Sequence, residues 1–354
     1  MKKNLRIADN ICMFGSLAWR MFNANNVFGF YHLYVRHIAS ETIRIFLSMN
    51  DGSVLERVYK KINWYMVEAI IVGEMVASLA GRKMNKAERK TQICLGALMA
   101  LFDILIDDYN VGEELMKKIL SDTFGDTDAE YVGDEAIMKI YYLYVKALKS
   151  VAGNERMASI SKYVRLSVLQ IKSREQILLE TAESRINEIT IGKGGSAALI
   201  LASFIVKDEP FEKAIYETGG LIQMMNDCQD MYKDTVAGVR TFVHFRKDFE
   251  DVYATLDKQR IRTFESVGNL NVAEKSKKRF LFELNAMFVV IAYKLHRYAE
   301  YCSYNLDFET IASADKNRFR INPFSLKSVF SCASKIIRFD KDIPDKPPCF
   351  KVTA

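Results

Sequence analysis

The sequence predicts an all-α protein, and three features lead to this prediction. Apolar residues recur three and four positions apart in nearly every apolar segment, which is the period of an amphipathic helix. The alternation of apolar and polar residues that is typical of a strand is nearly absent. Only five prolines occur, and Pro210 alone lies before position 320, so long uninterrupted helices are expected.

The helical pattern is clearest in eight segments, which follow in chain order. They are ICMFGSLAWRMF, WYMVEAIIVGEMVASLA, ICLGALMALFDILI, IMKIYYLYVKALKSV, YVRLSVLQIKSREQILLETAESRI, AALILASFIV, AIYETGGLIQMMNDCQDMY and RFLFELNAMFVVIAYKLHRYAEYC. Helix breaks are predicted where glycine, proline and short polar residues gather. These sites are 50–53, 121–128, 153–154, 192–195, 207–210, 235–240 and 268–271.

No internal repeat or low-complexity linker divides the chain, so one all-α domain is predicted over residues 1–320. From residue 321 proline becomes frequent, and KSVFSCASKIIRF is predicted to form a short basic amphipathic helix before a loose end. We interpret this tail, 321–354, as a helix packed on the domain. Peripheral contact with a membrane is the alternative.

Composition limits the partners and the cellular location. The chain has 354 residues, 49% of them hydrophobic, and a formal charge of +6 that is not concentrated in one block, so nucleic acid is not an expected partner. Its six cysteines show no metal-binding spacing and are interpreted as reduced thiols. The basic and apolar N-terminal segment is interpreted as a helix and not as an export signal, because no convincing cleavage site follows it. A cytoplasmic, water-soluble protein is predicted.

One acidic cluster ends the apolar run ICLGALMALFDILIDD. Asp103 and Asp107 are one helical turn apart, about 40° around the axis, and Asp108 follows directly. A carboxylate inside such an apolar helix needs a cationic partner. An ordinary helix that runs into a loop also produces this pattern, so the cluster alone leaves both interpretations open.

A second acidic cluster lies in GGLIQMMNDCQDMYKD, about 120 residues further along the chain. Asn226, Asp227, Asp230 and Asp234 fall within roughly one 100° arc of a helix, with apolar side chains between them. A solvated acidic face is the alternative. Grouped carboxylates repel one another, and hard oxygen ligands favour Mg²⁺, so we predict that both clusters bind magnesium.

Basic groups near the clusters are candidates for binding the charge of a polyanionic substrate such as a diphosphate. They are Arg185, Lys193, Lys233 and Arg240. Lys193 lies in GKGG, where the glycines are predicted to break a helix and to present backbone N–H groups to an anion; a solvent-exposed lysine at a helix end is the alternative. No HExxH, GxSxG or GxGxxG is present. The 22 Phe and 17 Tyr are mostly expected in the core, but they also suit a cavity for a hydrocarbon or a carbocation.

In their order and spacing, these motifs resemble those of the class I isoprenoid synthases, over about residues 90 to 245. Gln223, Asn226 and Asp230 are similar to the QxxNxxxD of squalene and phytoene synthases. Asn226, Asp230 and Asp234 also match the three ligand positions of the second metal motif of terpene synthases. The stretch 103–108 resembles the first aspartate-rich motif of the family.

This resemblance implies a single large antiparallel helical bundle with a central cavity, Mg²⁺ as cofactor, a prenyl diphosphate substrate and a homodimer. It also implies catalytic roles for Asp103, Asp107, Asn226, Asp230 and Asp234. The arginine pair that chain-elongating enzymes usually carry after the first motif is missing, so successive elongation is not expected. Lys193 with Ser196 is similar to the helix break that those enzymes direct at diphosphate.

Three functions remain open from the sequence. Cyclisation or elimination, as in terpene synthases, is the first expectation. Head-to-head condensation of two prenyl diphosphates, as in squalene and phytoene synthases, is the second. A helical protein that binds an isoprenoid or a partner protein without catalysis is the third, and Lys233 within the acidic cluster favours it because a cation there could partly replace a metal.

Overall fold

A computed structural model describes residues 7–17, 44, 46–124, 133–152, 165–206, 208–319 and 332–338. Within these ranges every regular element is an α-helix or a 3-10 turn, and no strand occurs in them. The predicted all-α class is therefore confirmed, and it is consistent with a helical fold of the isoprenoid synthase type. The central cavity stays a prediction.

The helices follow the apolar periodicity of the sequence. They are α1 (Ile7–Leu17), α2 (Glu56–Leu79), α3 (Lys86–Asp107), α4 (Glu113–Phe124), α5 (Ala136–Ala152), α6 (Arg165–Lys172), α7 (Glu183–Ser203), α8 (Glu209–Gln229), α9 (Met231–Ala237), α10 (Phe249–Gly268), α11 (Glu274–Tyr301), α12 (Phe308–Ser313) and α13 (Ala333–Ile337). Short 3-10 turns lie at Ser173–Ile177, Phe242–Phe245 and Lys316–Phe319.

The chain divides into two compact units. Unit 1 consists of Met1–Gly29, Arg174–Gly195 and Glu217–Ala354, and unit 2 consists of Phe30–Ser173 and Ser196–Tyr216. Each is described by itself below. The single domain over residues 1–320 stays a prediction.

Most predicted helix breaks agree with the structure. The segments 50–53, 207–210 and 268–271 fall at or between helix ends, and α9 ends before Gly238, whose φ of +68° suits glycine. The break predicted at 121–128 is wrong for its first residues, because α4 continues to Phe124, and residues 125–128 lie outside the described ranges. The 153–154 break and most of the basic tail lie outside the described residues.

Unit 2 is organised around α3. Nearly every side chain from residue 91 to residue 106 is buried, and α3 packs against α2, α5 and α6. A capping box fixes the start of α3: Asn85 accepts from the Glu88 backbone at 2.9 Å, and the Glu88 carboxylate accepts from the Asn85 backbone at 2.8 Å. Arg82 donates to both oxygens of the same carboxylate. Such a cap stabilises a helix end by about 1 kcal/mol.

Gly96 sets the spacing between α2 and α3. A Cβ at this position would lie 2.6 Å from the Tyr65 carbonyl oxygen and 2.8 Å from the Met66 Cα. The two helix backbones therefore touch where only glycine fits. Because Asp103 lies seven residues after Gly96, it is on the same face of α3 and is also directed at α2.

Unit 1 has α11 as its buried helix, which packs against α10, the third 3-10 turn and α13. Arg260 of α10 is buried at this contact, where it pairs with Asp257 at 2.7 Å and donates to Asn285 at 3.1 Å. Its guanidinium also lies 4.7 Å from the centroid of the Phe288 ring. The buried charge is thus compensated by a carboxylate, an amide oxygen and an aromatic face.

The glycines of α7 do not break the helix, and the predicted break at 192–195 is therefore wrong. α7 runs without interruption from Glu183 to Ser203. A Cβ on Gly194 would lie 2.2 Å from the carbonyl oxygen of Gly219 in α8, and one on Gly220 would lie 2.9 Å from Ile191. The glycines allow α7 and α8 to cross in backbone contact, so this contact outweighs the weak helix propensity of glycine.

Two segments bear on membrane contact. By length and hydropathy alone α2 could cross a bilayer, but half of its apolar window is buried inside the chain, as in the core helix of a globular protein. In the described part of the tail, Ile336 of α13 is buried and Asn10 donates to the Ile337 carbonyl at 2.9 Å. This part packs on α11 and α1 within unit 1, and contact of the tail with a membrane stays a prediction.

Replacing Gly194 by alanine tests the α7–α8 contact. The added Cβ overlaps the Gly219 carbonyl, so we expect Gly194→Ala to lower the free energy of unfolding by about 2 kcal/mol or more. Gly15→Ala in α1 is the control, because a Cβ there meets nothing within 4 Å and alanine should stabilise the helix by about 0.5–1 kcal/mol. Urea denaturation of both variants measures the difference. Equal effects would contradict the contact.

Candidate functional site

The second acidic cluster lies where α8 meets α9. The sequence predicted one helix here, but α8 ends at Gln229 and α9 begins at Met231, with Asp230 between them at φ −93° and ψ 7°. The Asp230 N–H donates to the Asn226 carbonyl and the Asp234 N–H donates to the Asp230 carbonyl, both at 2.8 Å. These two hydrogen bonds span the junction and keep the four-residue spacing of the acidic stripe.

Asp227 is the buried member of this cluster. Its carboxylate accepts from the Thr190 hydroxyl of α7 and from the Gln223 side-chain amide, each at 3.1 Å. Burial raises the pKa of Asp227 to about 7, although both hydrogen bonds act in the opposite direction. Each carboxylate oxygen therefore has a hydrogen-bond donor, and the bond from Thr190 links α8 to α7.

Asn226, Asp230 and Asp234 form the accessible side of the cluster. Asn226 is exposed, and the other two are partly buried. Burial raises the pKa of Asp234 to about 7, and the charges of Asp227 and Asp230 raise it further, while Lys233 and Lys193 lower it. Burial thus disfavours the ionised form of Asp234, and a further cation beside it would favour ionisation.

Lysines surround the stripe. Lys233 is exposed, and its Nζ lies 3.4 Å from an Asp230 oxygen. Lys193 is partly buried within α7, and its charge lowers the pKa values of Asp227 and Asp234. It thus acts from the middle of a helix and not from a helix break.

Lys294 of α11 is a member of the site that the sequence interpretation missed. It is buried, its Nζ donates to the Gln229 carbonyl at the end of α8, and burial lowers its pKa to about 8. Close by, the Tyr298 hydroxyl accepts from the Tyr232 backbone at 3.2 Å. The signal in the sequence was a single lysine within the apolar run FVVIAYKL.

Arg185 and Arg240 are engaged by the protein itself. Arg185 makes a two-bond contact with Glu175, at 2.7 and 3.0 Å, and donates to Glu188 at 2.7 Å. Arg240 donates to the carbonyls of residues 178, 179 and 181, and its guanidinium lies 4.5 Å from the Phe245 ring centroid. These contacts hold the loop before α7, so the geometry favours a structural role for both. Their diphosphate role stays a prediction.

The first acidic cluster lies at the end of α3 and is already paired with α2. Asp103 accepts from the Lys61 ammonium at 2.7 Å, from the Tyr65 hydroxyl at 3.1 Å and from the Gln170 amide. Burial raises the pKa of Tyr65 well above its usual value, and the Asp103 charge raises it further, so the hydroxyl stays protonated and donates. Asp108 lies 3.6 Å from Arg57, and Asp107 is exposed.

The two clusters differ in how well they fit a divalent cation. Among the described residues no group of three His, Cys, Asp or Glu side chains is close enough to hold a metal. The stripe at the α8–α9 junction offers two carboxylates and the amide of Asn226, which suits Mg²⁺ together with water and substrate oxygens. Asp103 fits poorly because a lysine already neutralises it. The clusters belong to different units, and their facing arrangement stays a prediction.

Comparison with known proteins adds one structure. No protein-family model matches the sequence, and no curated protein matches it significantly. A crystal structure of a geranyltransferase from Legionella pneumophila is similar with a TM-score of 0.40 and 14% sequence identity, covering 71% of this chain and 96% of that chain. A likeness at this level carries no residue role to this chain.

The raised pKa values predict how stability depends on pH. Asp227 and Asp234 keep a proton up to about pH 7 when folded but ionise near 3.8 when exposed. Because the folded state then binds more protons, the free energy of unfolding in metal-free buffer should fall between about pH 5 and 7. The slope is at most about 1.4 kcal/mol per pH unit for each carboxyl, and it should vanish above pH 7.

Asp234→Asn isolates this effect, because it removes one of the two titrating carboxyls and retains the shape of the side chain. His244, whose pKa is lowered by burial, contributes a slope of opposite sign, but it does so equally in both proteins. Urea denaturation at several pH values should show that the stability of the wild type relative to the variant falls from pH 5 to 7. A difference independent of pH would contradict the raised pKa of Asp234.

Proposed function

We propose that the protein is a magnesium-dependent enzyme that ionises an allylic prenyl diphosphate. The observation that carries the proposal is the pair of partly buried acids Asp230 and Asp234, one turn apart at the α8–α9 junction, with the charge of Lys193 acting on Asp234. Grouped carboxylates of this kind are stabilised by a divalent cation. The motif resemblance gives the substrate class, since a prenyl diphosphate brings both a cation requirement and a hydrocarbon tail.

Asn226, Asp230 and Asp234 would hold the ion. When bound, Mg²⁺ supplies positive charge to a leaving diphosphate. Lys193 adds a cation from α7 that is held in place by the glycine contact with α8. Lys294 fixes the end of α8 by donating to the Gln229 carbonyl, and it therefore positions Asp230 at the start of α9.

Two candidate reactions differ in what happens to the allylic carbocation after the diphosphate leaves. Cyclisation or elimination requires one prenyl diphosphate, whereas head-to-head condensation requires two. Gln223 favours condensation, because it stands in the first position of the QxxNxxxD spacing and its amide supports the same helix through Asp227. Incubation with geranyl, farnesyl and geranylgeranyl diphosphate plus Mg²⁺ distinguishes them: a hydrocarbon of the substrate's carbon number indicates cyclisation or elimination, and one of twice that number indicates condensation.

Inorganic pyrophosphate tests the binding site without requiring the true substrate. With Mg²⁺ and pyrophosphate at about 100 times Kd, folding should be stabilised by about 2.7 kcal/mol, which raises Tm by several degrees. Asp230→Ala should abolish this rise because it removes a proposed ligand. Glu265→Gln is the control, since this exposed acid on α10 belongs to neither cluster. If Asp230→Ala retains the full rise, the site is wrong.

Lys193 and Arg185 should differ in their effect on pyrophosphate affinity. Lys193→Met removes a cation whose charge acts on the acidic stripe, so we expect the Kd measured by calorimetry in Mg²⁺ to rise about tenfold. Arg185→Met removes a cation that Glu175 and Glu188 already engage, and the Kd should change by less than about twofold. If Arg185→Met raised the Kd more than Lys193→Met, Arg185 and not Lys193 would be the diphosphate-binding residue.

A further inference from the structure

We infer that Lys61 occupies the position of a metal ion at the first acidic cluster, so that divalent cations bind this protein through the α8–α9 stripe and not through Asp103. The inference deepens the proposed function and rests on it for the identity of the second site. The claim about Lys61 itself stands on contacts within unit 2.

The packing of α2 and α3 explains why Lys61 reaches Asp103. Gly96 brings the α3 backbone against Tyr65 and Met66, which fixes the local spacing of the two helices. Asp103 lies two turns further along the same face of α3, and Lys61 lies one turn before Tyr65 on α2. The carboxylate is therefore directed at Lys61 and Tyr65 by backbone geometry and not by a chance side-chain rotamer.

Both oxygens of the Asp103 carboxylate already have donors from the protein. Lys61 and Tyr65 both donate to Oδ2, and Gln170 of α6 donates to Oδ1. The Asp103 side chain is only 16% exposed and that of Lys61 is 32% exposed. A Mg²⁺ ion needs its ligand oxygen at about 2.0–2.1 Å, so it would have to displace these donors and sit beside an ammonium group.

The charge pattern extends along the same helix pair. Arg57 lies one turn before Lys61 on α2, and its guanidinium is 3.6 Å from Asp108. Basic side chains of α2 thus pair with two acids at the end of α3, Lys61 with Asp103 and Arg57 with Asp108. At the α8–α9 stripe, by contrast, the lysine that pairs with Asp230 is Lys233, whose Nζ is 3.4 Å away and whose side chain is 73% exposed.

Counting bound Mn²⁺, a paramagnetic substitute for Mg²⁺, tests the inference on the full chain by electron paramagnetic resonance. Wild type and Asp103→Asn should bind the same number of ions, with Kd values within about twofold. Lys61→Met should bind one additional ion, because its removal leaves the Asp103 charge without its ammonium partner. The double variant Lys61→Met with Asp103→Asn should lose that ion again. Lys61→Arg retains the charge and should gain none.

Two results would overturn the inference. The first is loss of an ion, or a Kd raised about tenfold or more, when Asp103→Asn is made in the wild type. The second is a Lys61→Met variant that gains no ion. Failure of the proposed function is a separate result: the wild type then binds no Mn²⁺ at the stripe and Asp230→Asn changes nothing, while the comparison of Lys61→Met with its double variant still decides the role of Lys61.

Stability without metal gives a second measurement, which is needed if Lys61→Met does not fold. In buffer with a chelator, Asp103→Asn should lower Tm by a few degrees, because it replaces the charged partner of Lys61. If Asp103 were a metal ligand held among repelling acids, the same substitution should raise Tm. Lys61→Gln, a neutral variant that retains a hydrogen-bond donor, replaces Lys61→Met in the ion count.

Discussion

Several helices of this protein place carboxylates within apolar contacts, and the need to compensate these charges is the constraint on which the rest of the structure depends. A charge removed from water must be paired, hydrogen-bonded or protonated. The chain uses each solution at a different place: Asp103 receives an ammonium, a phenol and an amide, and Glu88 is held by Arg82 and by the backbone at the start of α3. Asp227 accepts two hydrogen bonds and still has a raised pKa. At the α8–α9 junction the pKa of Asp234 is raised by burial and the lysine that pairs with Asp230 is exposed, so a bound cation is physically reasonable there.

Backbone contacts at glycine determine which side chains can provide that compensation. At Gly96 the α2 and α3 backbones touch, and the donors of α2 then lie within reach of Asp103. At Gly194 the α7 and α8 backbones touch, and Thr190 then reaches Asp227, while Lys193 influences the same cluster. Both glycines lie inside helices, where their low helix propensity costs about 1 kcal/mol each relative to alanine. The close helix contacts, and the polar contacts that depend on them, offset this cost.

Several details of the site could not be read from spacing alone. Lysine in an apolar run has no unique interpretation, so Lys294 was missed although its position in the sequence was visible. Arg185 and Arg240 were predicted to bind diphosphate because they are cations near acidic motifs, yet their closest partners are Glu175, Glu188 and the carbonyls of the 178–181 loop. The folded structure determines which acceptor a guanidinium contacts. The distance between two groups along the sequence does not predict that acceptor.

The sequence by itself determined the helical class, most of the helix ends and the residues that could hold a cation, because these follow from periodicity, from breakers and from the chemistry of individual side chains. Tertiary structure alone decided which carboxylates are already neutralised, since that depends on distances of a few ångströms between side chains of packed helices. It also decided that glycines 192–195 lie within a continuous helix. The same Asp-rich pattern is thus a partly buried ion pair at α3 and a pair of partly buried acids beside an exposed lysine at the α8–α9 junction, and the difference lies in the burial of the lysine that pairs with the acid.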